Sequence, residues 1–455
     1  MFKRIGLILL IIMLASSVVF AQETTPEATE PAVTAAEQIL TLFETGDYAA
    51  IHALLSPQVQ GMVTAEQLGE AWESLSAQVG AFQGTVGTRY ESDTGTGVIT
   101  LQFELIALEL RVRVDTSGQV VALNFAPASA PEDAPAEPTY SAPPYADEDT
   151  FTDIEVILGT VGETPLPGVL SLPNGDGLHP LVILMGGSGP TDRDGTVGGN
   201  KPLRDLAWGL ATQGIAVLRY DKRALVHPDS FANTFFTIAE EYTQDALLAV
   251  ELMRATAGID PERVYLAGHS LGGYIAPRIV AEAAAADSHI AGVIVLAGLA
   301  RPLQDALFDQ QRYLLQADGA LDGSDQMVLS IVNDLRNAIN GLTEEDADDS
   351  YNLFGAPPSY YIDLQGYDPV ATAAGLDVPL LVIQGERDYQ VTMAGDFALW
   401  QAGLEGDPNA TLISYPSLNH LLIPGSGASL PSEYGVAGHV DGAVINDIAA
   451  WVNER

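Results

Sequence analysis

Residues 263–278, Arg263-Val264-Tyr265-Leu266-Ala267-Gly268-His269-Ser270-Leu271-Gly272-Gly273-Tyr274-Ile275-Ala276-Pro277-Arg278, decide how the rest of the chain is read. The apolar run Val264–Ala267 reads as a short buried strand. It runs into Gly268-His269-Ser270-Leu271-Gly272, a G-x-S-x-G, and an alanine-rich stretch to Ala286 then reads as a helix. Strand, tight turn and helix are the setting in which that motif lifts a serine hydroxyl on a strained elbow above a sheet. Gly268 and Gly272 fit because a Cβ at either place would collide with neighbouring strand and helix backbone. In a chain with 44 glycines the bare pattern can arise by chance, so the surrounding elements carry the weight.

Outward from the elbow, strand and helix patterns alternate from Phe151 to the end. Strands are expected at Asp153–Leu158, Gly168–Leu172, Leu181–Met185, Ala216–Tyr220, Val264–Ala267, Val293–Ala297, Leu380–Gln384 and Thr411–Tyr415. Helices are expected near Lys201–Gln213, Thr237–Thr256, Tyr274–Ala286, Met393–Gly403 and Val440–Asn453. The later strands are continuous apolar runs, as when helices cover both sheet faces. That predicts an α/β fold with a mostly parallel, doubly wound sheet. Between Ala297 and Leu380 the alternation stops and the pattern is mostly helical. A structureless loop of that length would be unusual. A helical cap insertion at about 300–375, over the carboxyl edge of the sheet where ligands bind, is the expected reading.

A serine hydroxyl is a weak nucleophile. It needs a base within hydrogen-bond reach, and the base needs a carboxylate to hold its tautomer. In this architecture the order is serine, acid, histidine. After Ser270 only His289, His420 and His439 remain. His289 lies too close behind the elbow helix, and His439 opens the last helix as a cap or surface residue. His420, after the final apolar strand, can reach back over the sheet edge and is the expected base. Asp388, on the turn beyond the penultimate strand, is the expected acid, with Glu386 as competitor nearer the strand end. Acyl transfer also needs two N–H donors for the oxyanion. Leu271 should supply one. The glycine loop Met185-Gly186-Gly187-Ser188-Gly189-Pro190 should supply the other, from Ser188 or alternatively Gly187.

Other charged motifs are read as structural. Asp192-Arg193-Asp194-Gly195 lacks the glutamate that closes a calcium loop. Asp221-Lys222-Arg223 forms either a pocket rim or ion pairs, and ion pairs are the preferred reading. The glycine loop has neither a following Lys-Ser/Thr nor a G-x-G-x-x-G, which argues against a nucleotide. No cofactor and no metal are expected.

The first 150 residues are organised differently. Lys3-Arg4, the apolar run Ile5–Leu14 and Val19-Phe20-Ala21 read as a signal peptide over 1–21, with an uncleaved anchor as the alternative, implying a secreted, periplasmic or cell-surface protein. Residues 22–32 read as a disordered linker. Residues 33–126 read as a small α+β domain, with helices first and four strands after Gly80. His52 is expected on a helix surface, and Glu70 and Glu73 on one face of a helix from Thr64 to about Val79. Residues 127–150 read as a Pro/Ala-rich linker whose only bulky groups are Tyr140 and Tyr145, leaving 151–455 as the catalytic domain. The absence of cysteine excludes disulfides, thiolate catalysis and Cys-metal sites. A formal net charge of −41 argues against nucleic acid or anionic lipid as partner. With the leader removed, no membrane association is expected. Nothing in the sequence sets an oligomeric state.

Residues 151–455 resemble the α/β-hydrolase-fold serine esterases, and bacterial carboxylesterases of the esterase D type in particular, which carry a small N-terminal α+β domain. The resemblance rests on Met185-Gly-Gly-Ser-Gly-Pro-Thr-Asp-Arg-Asp194, Arg219-Tyr-Asp-Lys-Arg223, Gly268-His-Ser-Leu-Gly-Gly273, Gln384-Gly-Glu-Arg-Asp388 and Leu418-Asn-His420. It implies hydrolysis of small-molecule carboxylic esters, typically short acyl chains, without a cofactor. It maps nucleophile, acid and base onto Ser270, Asp388 and His420. A peptidase or acyltransferase on the same scaffold is the alternative.

Overall fold

The computed structural model describes residues 29–455 apart from 62, 70–71, 73–74, 76–81, 92–94, 104–106, 128–139, 160–163, 232–234, 287, 318, 322 and 349–352. The expected signal peptide, most of the linker at 22–32, and Glu70 and Glu73 lie outside the described residues. The chain divides into two compact units, Met1–Ala136 and Glu137–Arg455.

The first unit packs helices on a four-stranded antiparallel meander, β1 (Phe82–Glu91), β2 (Thr96–Phe103), β3 (Ala107–Val114) and β4 (Val120–Pro127), in that order. The helix Thr29–Thr45 lays Ala36, Ile39, Leu40 and Phe43 into a core with Ile99, Leu101, Leu108 and Leu110. Apolar residues at helical spacing meet alternate strand residues, which is how each element buries one face. Trp72 stacks on Phe43 with centroids 4.9 Å apart. Order therefore begins ahead of the expected Val33, because Thr29–Ala32 already belong to this helix. At Gly97 an added Cβ would sit 2.4 Å from the Ala32 backbone, so β2 and the helix start are in direct backbone contact. His52 is half-buried, with Nε2 3.3 Å from the Gln60 carbonyl.

The second unit is built on an eight-stranded sheet. Its strands are β5 (Phe151–Leu158), β6 (Leu166–Pro173), β7 (His179–Met185), β8 (Ala216–Tyr220), β9 (Ile259–His269), β10 (Gly292–Leu296), β11 (Leu380–Gly385) and β12 (Ala410–Tyr415). Their order is β12-β11-β10-β9-β7-β8-β6-β5. From β12 to β8 all pairs are parallel; β6 runs antiparallel to both β8 and β5. Period-two alternation sends Leu181, Ile183 and Met185 of β7 into one core and Val182 and Leu184 into the other. The first core is covered by the helices Gln244–Arg254 and Leu271–Ala285, the second by Pro202–Thr212 and Gly442–Asn453. Both sheet faces are thus buried, which explains the unbroken apolar runs.

The insertion between β10 and β11 is helical, with segments Leu303–Gln316, Gly323–Asn340, Pro358–Leu364 and Pro369–Ala374. Its first helix reaches the loops beyond β11 and β12: Gln310 Nε2 donates to the Gln390 carbonyl at 3.2 Å and Tyr313 Oη to the Ser429 carbonyl at 3.1 Å. The cap therefore stands at the carboxyl edge of the sheet.

The expected linker 127–150 is corrected at both ends. Pro127 closes β4, and Tyr140–Thr150 belongs to the second unit. Tyr140 donates to buried Asp205 at 2.6 Å and stacks edge-on against Trp208; Tyr145 donates to the Val440 carbonyl at 2.8 Å. His439, expected to cap the last helix or face solvent, instead lies 3.2 Å from the same Asp205 carboxylate. Among the described residues no helix is long and apolar enough to cross a membrane.

Candidate active site

Four loops at the carboxyl edge carry the expected residues. They follow β7, β9, β11 and β12, and β7 lies beside β9 in the sheet. That adjacency comes from the register, which pairs Met185 with Gly268 and so starts the glycine loop and the elbow at the same height.

Ser270 sits between β9 and the helix Leu271–Ala285 with φ 56° and ψ −120°. A side chain other than glycine adopts such a conformation only under constraint. The constraint is visible. An added Cβ at Gly268 would lie 2.1 Å from the Gly272 carbonyl oxygen, and one at Gly272 would lie 2.6 Å from that of Gly186. Helix, strand and glycine loop are pressed together backbone to backbone, and the Ser270 N–H is tied to the Leu296 carbonyl at 2.9 Å.

Asp388 and His420 come from different loops and meet with Nδ1 2.7 Å from Oδ2, both side chains buried. The remaining capacity of the carboxylate is filled: Gln390 and Val391 N–H groups donate to Oδ1 at 2.8 and 3.0 Å, and Gln384 Nε2 to Oδ2 at 3.1 Å. A carboxylate only accepts, so His420 donates from Nδ1, and in the neutral ring that tautomer leaves the lone pair on Nε2. Glu386, the competing acid, points elsewhere and accepts from Ser414 Oγ at 2.9 Å. His289 also lies apart, with Nε2 3.2 Å from the Glu262 carbonyl.

The loop bearing His420 is tied to the elbow. His269, immediately before Ser270, donates from Nε2 to the His420 carbonyl at 2.8 Å, and the two imidazole rings are 4.7 Å apart. Burial, with a smaller effect from His420, pushes the His269 imidazole down to about 4, so it is neutral near pH 7. Asn419 Oδ1 accepts from the Leu421 and Ile423 N–H groups, and Leu422 takes φ 59°. Arg387 holds the outer part of the loop by donating to the Gly427, Ser426 and Ser417 carbonyls and pairing with Glu433.

The glycine loop stands against the serine: an added Cβ on Gly187 would lie 3.1 Å from Ser270 Cβ and 3.6 Å from its Oγ. Among the described residues the N–H groups of Leu271 and Ser188 have no hydrogen-bond partner. The geometry offers a strained serine, an imidazole held by a carboxylate, and free backbone donors from two loops.

The charged motifs resolve into ion pairs. Asp194 is held by Arg219 at 3.0 Å and Lys201 at 2.9 Å, and Arg193 by Asp221 and Glu155. Lys222 also forms an ion pair, with Glu241 at 2.6 Å, but it does so out of solvent. It is buried beneath the glycine loop with Glu241 and Tyr242. Burial pushes its ammonium below the ordinary range, and the Glu241 carboxylate opposes that. The only hint in the sequence is that Lys222 is one of three lysines in the chain.

A model of the alpha/beta hydrolase family matches residues 195–432, and a family described as a protein of unknown function (DUF3887) matches residues 36–123. Esterase EstD of Thermotoga maritima is 36% identical over 401 residues, covering 88% of this chain and 90% of that protein. Among solved structures, Est1E from Butyrivibrio proteoclasticus is 17% identical over 66% of this chain and 99% of that one, with a TM-score of 0.42. An esterase of Pyrobaculum calidifontis is 16% identical over 68% of this chain and 87% of that one, also with a TM-score of 0.42.

Proposed function

The chain belongs to the alpha/beta hydrolase family and is a carboxylic ester hydrolase, and from that premise we propose an exported serine esterase acting on short-chain acyl esters through Ser270, His420 and Asp388. The observation that carries this reading is the 2.7 Å bond between His420 Nδ1 and Asp388, tied by His269 to the strained Ser270 elbow.

Ser270 Oγ attacks the ester carbonyl carbon while His420 Nε2 takes its proton. Asp388 keeps the imidazole in the required tautomer and stabilises the imidazolium. The carbonyl oxygen becomes an oxyanion held by the Leu271 N–H and the Ser188 N–H, with Gly187 as the alternative donor. Collapse expels the alcohol, which leaves with the proton from His420. Water, deprotonated by His420, then attacks the acyl-enzyme and releases the acid. Donors held in place before charge develops would leave no reorganisation to oppose the step.

Ser270→Ala should lower kcat on an aryl acetate by at least about 10³-fold. Near-normal turnover would remove Ser270 from the mechanism. The same assay run over acyl chain length, beside a peptide anilide, tests the short-chain preference against a peptidase activity. Export rests on the basic and apolar leader at 1–21 and predicts a mature protein beginning at Gln22, read by mass spectrometry of the protein recovered outside the cytoplasm. Recovery of the intact Met1 form in the cytoplasm alone would contradict export, and its recovery outside would contradict cleavage.

A further inference from the structure

Beneath the glycine loop lies a closed group of buried polar side chains that the mechanism above does not use. Lys222 Nζ has three N–H bonds to give, and gives them to the Gly187 carbonyl at 2.9 Å, Glu241 Oε1 at 2.6 Å and Tyr242 Oη at 2.8 Å. Tyr242 Oη donates its own proton to the same Gly187 carbonyl at 2.6 Å. Glu241 Oε2 accepts from Tyr360 Oη at 2.7 Å, and Tyr360 belongs to the cap. All four side chains are buried. Glu241 and Tyr242 are consecutive residues of a π-helical turn, Ala239–Thr243, that opens the helix Gln244–Arg254. In that wider turn both reach Lys222, and such turns recur at functional sites.

Two donors on one backbone carbonyl next to the nucleophile fix a peptide plane. The peptide is trans and planar, so its carbonyl and its N–H point in opposite directions. Gripping the Gly187 oxygen from below therefore aims the Ser188 N–H away from Lys222, and that N–H has no partner among the described residues. A cation and a hydroxyl on the carbonyl also polarise the peptide, making its N–H a stronger donor.

We propose that Lys222 and Tyr242 are positioning residues for the oxyanion site, holding the Gly187–Ser188 peptide so that the Ser188 N–H faces the developing charge, with Glu241 and the cap residue Tyr360 holding Lys222 in place. The claim rests on the reading of Ser270 as nucleophile. It also links the cap to the chemistry: a shift of Tyr360 loosens Glu241, then Lys222, then the donor.

The test uses the full-length protein as Tyr242→Phe and as the double variant Lys222→Met with Glu241→Gln, which leaves no unpaired buried charge. Each is assayed on an aryl acetate and on its thiono analogue, whose sulfur accepts hydrogen bonds poorly, with active sites counted by a fluorophosphonate. Removing a whole oxyanion donor costs about 10²–10³-fold in kcat, so misaiming one should cost about 10–100-fold with KM moved less than about twofold. The preference for oxo-ester over thiono-ester should shrink in step. A purely structural role would lower the melting temperature and the count of active sites while leaving kcat per site and that preference unchanged, which overturns the proposal. Ser270→Ala serves as the control on the underlying reading. If it still labels with the fluorophosphonate, the nucleophile assignment falls and the proposal with it. If labelling is lost while the thiono preference in the other variants stays intact, only the positioning claim falls.

Discussion

Both units bury charge, and they use it differently. In the small unit Glu109 of β3 is 1% exposed and receives Arg89 of β1 and Arg111 of its own strand, each at 2.8 to 3.0 Å. These groups sit on one sheet face and pair with their neighbours. The second unit has such pairs too, Arg219 with Asp194 among them, but two of its buried charges also grip backbone: Lys222 the Gly187 carbonyl, Asp388 the loop after β11. The strain is divided in the same way. Among the described residues the non-glycine positions with positive φ are Ser270, Ala297, Phe354 and Leu422, all in the second unit, while in the small unit only glycines take that conformation. Buried charge alone therefore does not mark a functional site. Buried charge that fixes a strained loop does, because strained backbone persists only where its surroundings over-determine it.

The contrast can be broken most directly at the elbow. Gly268→Ala would drive a Cβ to 2.1 Å from the Gly272 carbonyl oxygen, a backbone atom that cannot step aside. Esterase activity should fall by about 10³-fold or more, as if the nucleophile were removed, and the second unit should lose stability. Circular dichroism melts and aryl acetate turnover read the two effects, and a fully active, stable variant would show that the elbow is not over-determined.

A smaller effect is expected from pH. The His269 imidazole is held at about 4 in the folded protein, below its ordinary 6.5. Below pH 6.5 the unfolded chain takes up a proton that the native site refuses until about pH 4. Stability from this group is therefore complete above 6.5 and declines as pH falls to 4, by about 3 kcal/mol. His269→Gln can still donate to the His420 carbonyl and should flatten that part of the melting profile between pH 7 and 4. Parallel profiles for the two proteins would mean the imidazole is not the acid-sensitive group.

The smallest change belongs to the small unit. Gly84 of β1 has φ 140° at a register shift, with nothing within 4 Å of an added Cβ. Gly84→Ala meets only backbone strain and should cost about 1–2 kcal/mol, leaving ester turnover unchanged. A large loss of turnover would join what the comparison keeps apart.

Much of this was legible because it is dictated locally. The elbow needs glycines where backbones touch, and Gly268 and Gly272 announce it. Strands buried on both faces need apolar runs, and Leu381–Ile383 or Val293–Leu296 could hardly be read otherwise. The pairing of Asp388 with His420 followed from chain order, since each lies just past a strand end at one edge of the sheet. What escaped was non-local. Glu241, Tyr242 and Tyr360 meet Lys222 across stretches with no shared spacing, and a π-helical turn has no compositional signature. The helical pattern at Thr237–Thr256 gave the element but not its first turn. Tyr140 and Tyr145 were masked by the prolines and alanines around them, although two tyrosines in a segment otherwise without bulky groups were a sign that it docks.

Those two tyrosines set the borders of the catalytic body. Tyr140 and His439, far apart in the chain, share the Asp205 carboxylate, and Tyr145 reaches the Val440 backbone beside it. The clasp joins the start of the unit to its last helix, so a gene fusion that cut at Phe151 would leave Asp205 without its phenol and Trp208 without its cover. The heritable module, the piece that recombination can move intact, begins upstream of Tyr140, inside what looks like mere tether.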